Sequence, residues 1–284
     1  MRHQRIICVA LVFAFVVIAG TWGRTETAQA EPVKLRLGWI ASATMEALIA
    51  QKKDLLKHEG KSYTIELIRF RGTSPQTQAL AAKELDMATM SYTSFASAVL
   101  NAKLDVVIVA DGIKSGFPGT HSDYWAVLEN SPVKRIEDLK GKTLGVPALG
   151  TASDLAVQLA LLKHGLRIGR DYTLVEVRFP SMEAFLRGGK ITVANFIAPF
   201  WAKANIKGGV RSLFRSDYAL GKSEFVFHAM RRDFVEAHRE QLLDYFEDYL
   251  RGWRWYLDPA NREEALDIMV KFTKLPRAAL KGWA

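Results

Sequence analysis

Residues Leu139 to Gly165 read LKGKTLGVPALGTASDLAVQLALLKHG. Thr143-Leu144-Gly145-Val146 is a short apolar run of a length suited to a buried strand. Pro147 to Gly150 interrupts it. Thr151 then has the chemistry of a helix N-cap, and Asp154, three places on, approaches a capping box. Leu155, Leu159 and Leu162 recur at helical spacing, and Gly165 ends the helix. Strand, glycine-containing loop and helix thus follow one another, the unit from which α/β sheets are built. Such a loop turns free backbone N–H groups out of the helix start, where the helix dipole favours negative charge. It can hold an oxygen-bearing ligand without any catalytic residue, or it can be a plain crossover. Gly141-Lys142-Thr143 looks like the end of a P-loop. It precedes the strand instead of opening a helix, and Ile136 stands where the first glycine belongs.

Outward from this stretch, the chain has 284 residues and 49% hydrophobic content, enough for one large or two medium domains. Arg2 and Arg5 form a positive n-region, Ile6 to Gly20 is apolar, and Ala28-Gln29-Ala30 is a small-x-small cleavage site. Residues 1–30 read as a secretory signal peptide, because the apolar run falls short of the roughly 17–25 residues of a spanning helix. The alternative is an N-terminal anchor. Cys8 is the only cysteine, so residues 31–284 carry no disulfide, thiolate nucleophile or Cys-based metal site. The formal charge is +9. Arg2, Arg5 and Arg24 against Glu26 leave the rest of the chain at +7. This charge suits an anionic ligand or a membrane surface. The basic residues are scattered, which argues against a nucleic-acid patch.

Val33 to Trp39 alternates as a strand does, and Ser42 and Thr44 can cap a helix from Met45 to His58. Further strands are expected at Tyr63–Phe70, Met87–Met90 and Asp105–Ala110, with helices at Pro75–Glu84 and from Ser91 to near Asn101. Gly112 to Asp123 reads as a loop, and Tyr124–Glu129 as a strand that leaves the first sheet. Tyr172–Phe179, Ile191–Ile197 and Glu224–Met230 are strands, and Met182–Arg187 is a helix. From Asp233 onward, Phe234, Leu242, Tyr245, Phe246, Tyr249, Trp253 and Tyr256 form an aromatic seam of core-packing type. Asn261 caps a last helix through Lys271. The fold class is α/β. Two lobes, each a mainly parallel sheet flanked by helices, are joined by two hinge strands. Lobe one is 31–123 plus 225–284, and lobe two is 124–224.

Four strand-to-helix loops begin with hydroxyl or glycine residues: Ser42/Thr44, Gly72/Thr73/Ser74, Ser91/Thr93/Ser94 and Gly150/Thr151/Ser153. Ligands of open α/β sheets sit beyond the carboxyl ends of the strands, so these loops could surround a small molecule. Trp39, Tyr92, Phe200 and Trp201 could wall it. Taken singly, each hydroxyl is an ordinary N-cap. Asp111, at the end of a strand, is the best-placed carboxylate, either for a cationic ligand group or as a loop cap. The six histidines are spread out, with no HExxH, GxSxG or Cys/His spacing. His58 and His164 sit at helix C-termini and His238 on an amphipathic helix. No catalytic residue, metal or cofactor is expected.

The run DLKGKTLGVPALGTASDLAVQLALLKHGL, followed by LRGGKITVANFIAPFWAKA, resembles the nitrate/sulfonate/taurine-type solute-binding proteins of bacterial ABC importers. The resemblance extends over the chain beyond residue 30, and it lies in the order and spacing of the motifs. It implies a type II periplasmic binding fold and a monomeric periplasmic receptor without enzymatic activity. That receptor would bind a small anionic or sulfonate-like compound and deliver it to a permease in the inner membrane. Taken with the four loops and the aromatic residues near them, the ligand-binding residues expected are Trp39, Ser42, Thr44, Gly72, Thr73, Ser91, Tyr92, Thr93, Gly150, Thr151, Pro199 and Phe200. A ligand sensor for a membrane signalling partner is an alternative. So is a binding protein or enzyme of thiamine-pyrimidine precursors on the same fold. Two features depart from the family. Ala198-Pro199-Phe200 stands where Glu-Pro-Trp is frequent, and the chain ends at Ala284 in a helical region that relatives usually continue.

Overall fold

The computed structural model describes residues 31–40, 45–117 and 123–281. The expected signal peptide and Ser42 and Thr44 lie outside the described residues. In chain order the elements begin with β1 (Val33–Trp39), α1 (Met45–Gln51), β2 (Tyr63–Arg69), α2 (Ser74–Ala81), β3 (Met87–Met90), α3 (Tyr92–Leu100) and β4 (Val106–Ser115). Then come β5 (Asp123–Leu128), β6 (Lys142–Val146), α4 (Ala152–Lys163), β7 (Tyr172–Glu176), α5 (Phe179–Arg187), β8 (Val193–Ile197), α6 (Ala198–Lys207), β9 (Val210–Arg215) and α7 (Asp217–Leu220). The chain closes with β10 (Ser223–Arg231), α8 (Arg232–Ala237), α9 (Arg239–Leu257), α10 (Arg262–Thr273) and α11 (Arg277–Leu280).

The strands form two five-stranded sheets, ordered β2-β1-β3-β10-β4 and β7-β6-β8-β5-β9. Helices flank both, giving the two-lobed periplasmic-binding-protein architecture. The opening stretch folds as read, with β6 parallel to both β7 and β8. Each sheet is mixed, because one strand in each runs against its neighbours. These are β10 between β3 and β4, and β5 between β8 and β9. Parallel neighbours need a helical crossover between them. β5 and β10 follow other connections and are free to take the opposite sense.

Some boundaries differ from expectation for local reasons. The helix from Met45 stops at Gln51, and residues 53–55 continue as a 3₁₀ turn. β4 runs on to Ser115, pairing with the start of β10 through Ser223↔Ser115. Asp111 is therefore mid-strand, exposed, and tied to Lys114 at 3.0 Å. That correction removes it from the end of a strand. His238 lies between α8 and α9, not within one helix. α6 and β9 were not read from sequence. Ala198-Pro199 resembles a strand terminus, yet Pro199 occupies the first turn of α6, where a missing N–H costs nothing.

In the first sheet, Leu80, Leu85, Ala88, Met90 and Ala98 pack under α2 and α3. On the other face, Leu35, Leu37, Met87 and Met230 meet Tyr245, Tyr249, Leu266 and Met269 from α9 and α10. The seam on α9 is thus partly core, as the spacing predicts. Asp248 pins that helix. Its buried carboxylate accepts hydrogen bonds from the amides of Lys57 (3.1 Å) and His58 (3.0 Å) and from the Tyr63 hydroxyl (2.7 Å), and it pairs with Arg251. In the second sheet, Trp125, Leu144, Val146, Val157 and Leu161 join the strands to α4. α11 packs on α6, so the last helix described reaches the second sheet's helices.

Candidate functional site

Three helix N-termini meet where the two sheets face each other. α2 and α3 come from the first sheet's side and α4 from the second's. A Cβ on Gly72 would lie 3.1 Å from Ala148 Cβ and 3.3 Å from Thr151 Cγ2. Gly150 has φ +75°, and a Cβ there would lie 3.1 Å from Ser74 Oγ. The loops before α2 and α4 therefore touch through two glycines, and side chains at either position would hold them apart. Tyr92, the first residue of α3, packs against the cluster of Ala152, Phe225 and Val226, Ala152 being the first residue of α4. Arg71 bridges to Glu176 at the end of β7 (2.9 Å), and Glu176 also accepts from the Leu149 amide (2.9 Å).

Local hydrogen bonds hold the loops in shape. Ser91 caps α3 in a capping box with Ser94. Its Oγ also lies 3.2 Å from Thr73 Oγ1 and 2.7 Å from Thr93 Oγ1, a chain of hydroxyls spanning two loops. Thr151 caps α4, accepting from the Asp154 amide (3.3 Å) and donating to the Ala148 carbonyl (2.8 Å). Asp154 bonds the Gly150 amide instead of that of Thr151 (2.7 Å), so the motif is a shifted capping box. Gln76, buried in the first turn of α2, accepts from the Thr89 amide (2.8 Å) and so ties α2 to β3. Thr73, the N-cap of α2, makes no side-chain capping bond, its hydroxyl being turned to Ser91.

Two hydroxyls at this junction are buried without a partner among the described residues, Ser74 Oγ and Tyr92 Oη. Burial, together with the charge of Asp123, pushes the Tyr92 hydroxyl well above the ordinary tyrosine range. It is a neutral group, able to give and to take a hydrogen bond. Asp123, at the start of β5, is 1% exposed and accepts from Ser153 Oγ (3.0 Å) and Asn195 Nδ2 (2.8 Å). The site thus pairs helix N-termini and hydroxyls with the Asp123 carboxylate, which accepts from Ser153 and Asn195.

The expected residues divide into three groups. Gly72, Thr73, Ser91, Tyr92, Thr93, Gly150 and Thr151 come together. Trp39 is half-buried against α10, 4.8 Å from the Phe272 ring, with the Arg69 guanidinium 5.4 Å from its own ring. Pro199 and Phe200 are buried in the core, Phe200 stacking on Phe179 at 6.0 Å. Trp201 stacks on Tyr124 at 4.7 Å. Of the four aromatic residues expected as walls, Trp39, Phe200 and Trp201 thus make ring contacts elsewhere, and Tyr92 stands at the junction. Asp123, Asn195, Arg71 and Glu176 were missed. A lone Asn in the apolar run VANFI is a signal that could have been used. Arg71 and Glu176 carry no local signal, since their pairing joins residues distant in sequence.

The model of the NMT1-like family matches residues 28–270, and the chain belongs to that family. A Brucella abortus protein described as a binding protein is 27% identical over 292 residues, covering 99% of this chain and 82% of the relative. An Escherichia coli protein described as binding aliphatic sulfonates is 26% identical over 258 residues, covering 90% and 76%. The alkanesulfonate-binding protein of Xanthomonas axonopodis pv. citri, solved bound to MOPS, superposes with a TM-score of 0.71 at 19% identity, covering 89% and 83%. The last likeness establishes the fold. Among the described residues no helix is long and apolar enough to cross a membrane.

Proposed function

We propose that this member of the NMT1-like family is an exported, non-enzymatic solute receptor of an ABC importer. It holds a small anionic or sulfonate-like compound between its lobes and delivers it to an inner-membrane permease. One observation carries the reading: Ser74 Oγ and Tyr92 Oη are buried and unpartnered where the N-termini of α2, α3 and α4 meet. An unpaired buried hydroxyl costs about 1–3 kcal/mol. A ligand oxygen accepting from both hydroxyls removes that cost in a place where the helix dipoles favour negative charge. Gly72, Thr73, Ser91, Thr93, Gly150 and Thr151 shape the pocket through their backbones and caps. Lobe one is 31–123 with 225–284 and lobe two is 124–224. They separate by parting the Gly72 and Gly150 contacts and the Arg71–Glu176 pair, and they close over the ligand. Residues 1–30 act as the signal peptide, with cleavage after Ala30 releasing the protein to the periplasm. The descriptions of the Brucella and Escherichia relatives support the receptor class.

The test is a thermal-shift screen of sulfonates, taurine, nitrate, aromatic acids and pyrimidines. A ligand at about 100 times its Kd stabilises by about 2.7 kcal/mol, or about 5–11 °C for a chain of this size. Stabilisation by anions, lost in Tyr92→Phe, is expected. Turnover of the stabilising compound, or stabilisation by cations alone, refutes the proposal. Intact-mass analysis of exported protein that still carries Met1 to Ala30 refutes the cleavage.

A further inference from the structure

α9 carries a second pattern besides its core face. Leu243, Phe246, Leu250, Trp253 and Leu257 follow one another at alternating steps of three and four, the seam of a two-stranded coiled coil. The core face is led by Leu242, Tyr245 and Tyr249, and Phe246 and Trp253 of the seam are partly buried against it, so its exposed positions are the three leucines. The three seam leucines are 55%, 52% and 68% exposed. A groove of about 620 Å³ runs beside them, between α9 and β4, with Val109 and Ala110 on one wall and Phe246, Leu250 and Trp253 on the other. Leu243, Leu250 and Leu257, seven residues apart, thus present an exposed apolar stripe, and Leu250 on it also lines the groove.

We infer that this face binds a second copy of the chain, α9 against α9 in antiparallel sense about a two-fold axis at Leu250. Charge on the flank of the seam selects this occupant. Glu247 and Arg254 lie on one flank, seven residues apart, which is about 10.5 Å along the helix. Antiparallel pairing sets Leu250 against the partner's Leu250 and Leu243 against the partner's Leu257, and it brings Glu247 within one residue of the level of the partner's Arg254. The symmetry repeats each contact. Arg254 is exposed and makes no ion pair among the described residues, while Glu247 is bonded to Arg251 at 2.5 Å and lies 3.4 Å from the His58 ring, with most of its side chain in solvent. A parallel pair would set this flank against the opposite one, where Leu242 and Tyr249 are already packed in the core. The groove takes the partner's seam side chains. This departs from the monomer expected from sequence, and it stands independently of the ligand reading.

Sedimentation equilibrium of the purified protein from about 1 to 100 µM tests it, a range that covers ordinary micromolar association. The parent is expected to form a dimer. Leu250→Asp is expected to raise its dissociation constant at least about tenfold, since it puts a charge on the seam axis. E247R and R254E alone each weaken the dimer by a few-fold, and the double variant restores it to within about twofold, because both charges are reversed together. These positions are exposed, and circular-dichroism melts check that each variant folds. A parent that stays monomeric throughout overturns the inference. So does a dimer that Leu250→Asp leaves intact, or a double variant no better than its singles.

Discussion

Replacing Gly150 by alanine separates strain in the loop from its role between the lobes. Gly150 has φ +75°, where an L-residue costs about 1–2 kcal/mol. Alanine also restricts the unfolded chain, which returns about 0.4–1 kcal/mol. The net destabilisation is on the order of 1 kcal/mol, a fall in Tm of about 2–4 °C. Gly165 supplies the control. It has the same φ of +75°, with nothing within 4 Å of a Cβ placed on it. Gly150→Ala and Gly165→Ala should therefore lower Tm by similar amounts. Only Gly150→Ala puts a methyl 3.1 Å from Ser74 Oγ, tighter than ordinary contact, so only it should hinder the approach of the α2 and α4 loops. Titration calorimetry with the compound found in the screen should show weaker binding for Gly150→Ala, weaker still for Gly150→Val, and parental affinity for Gly165→Ala. Equal affinity in all three, or an equal loss at Gly165, would refute the reasoning.

Tyr92→Phe removes an unpartnered hydroxyl, so the free protein should melt no lower than the parent, while ligand affinity falls about 2- to 13-fold for one lost hydrogen bond; a lower Tm with unchanged affinity contradicts this. Asp248→Ala leaves two amides and the Tyr63 hydroxyl without their acceptor and takes from Arg251 its buried partner, at about 3–5 kcal/mol, and Tm should fall by on the order of 10 °C in thermal melts. Burial, then the charge of Asp111, raises the Glu224 carboxyl above its ordinary range. A raised carboxylate penalises the folded state only where it ionises, so the penalty is absent below the ordinary carboxylate pKa and grows as pH rises through the folded value. Glu224→Gln should therefore raise Tm at about pH 7 and have no effect at about pH 4, on either side of the usual glutamate range. An equal gain at both values speaks against titration as its cause.

Much of the fold was legible because its signals are local. The run from Lys142 to Lys163 forms β6 and α4 because apolar spacing, the Thr151 cap and the Gly165 stop all act within a few residues. The same holds for Ser91 and α3. These caps also located most of the candidate loops, since a residue that frees or satisfies helix N–H groups is recognisable in sequence. What surfaces meet was not legible. Ser74 and Ser94 are both hydroxyls near helix starts, yet Ser94 closes a capping box while Ser74 is orphaned under Gly150. Phe200 and Tyr92 both read as walls, yet Phe200 stacks into the core and the Tyr92 hydroxyl is buried at the junction. On α9, periodicity merges two faces. Leu242, Tyr245 and Tyr249 turn inward and Leu243, Leu250 and Leu257 turn outward, because helical spacing defines which residues share a side but not what covers it. The antiparallel strands β5 and β10, the Arg71–Glu176 bridge and the Asp123–Asn195 bond belong to this second class. Each joins residues far apart in the chain, and burial and pairing at that range depend on how the two sheets come together.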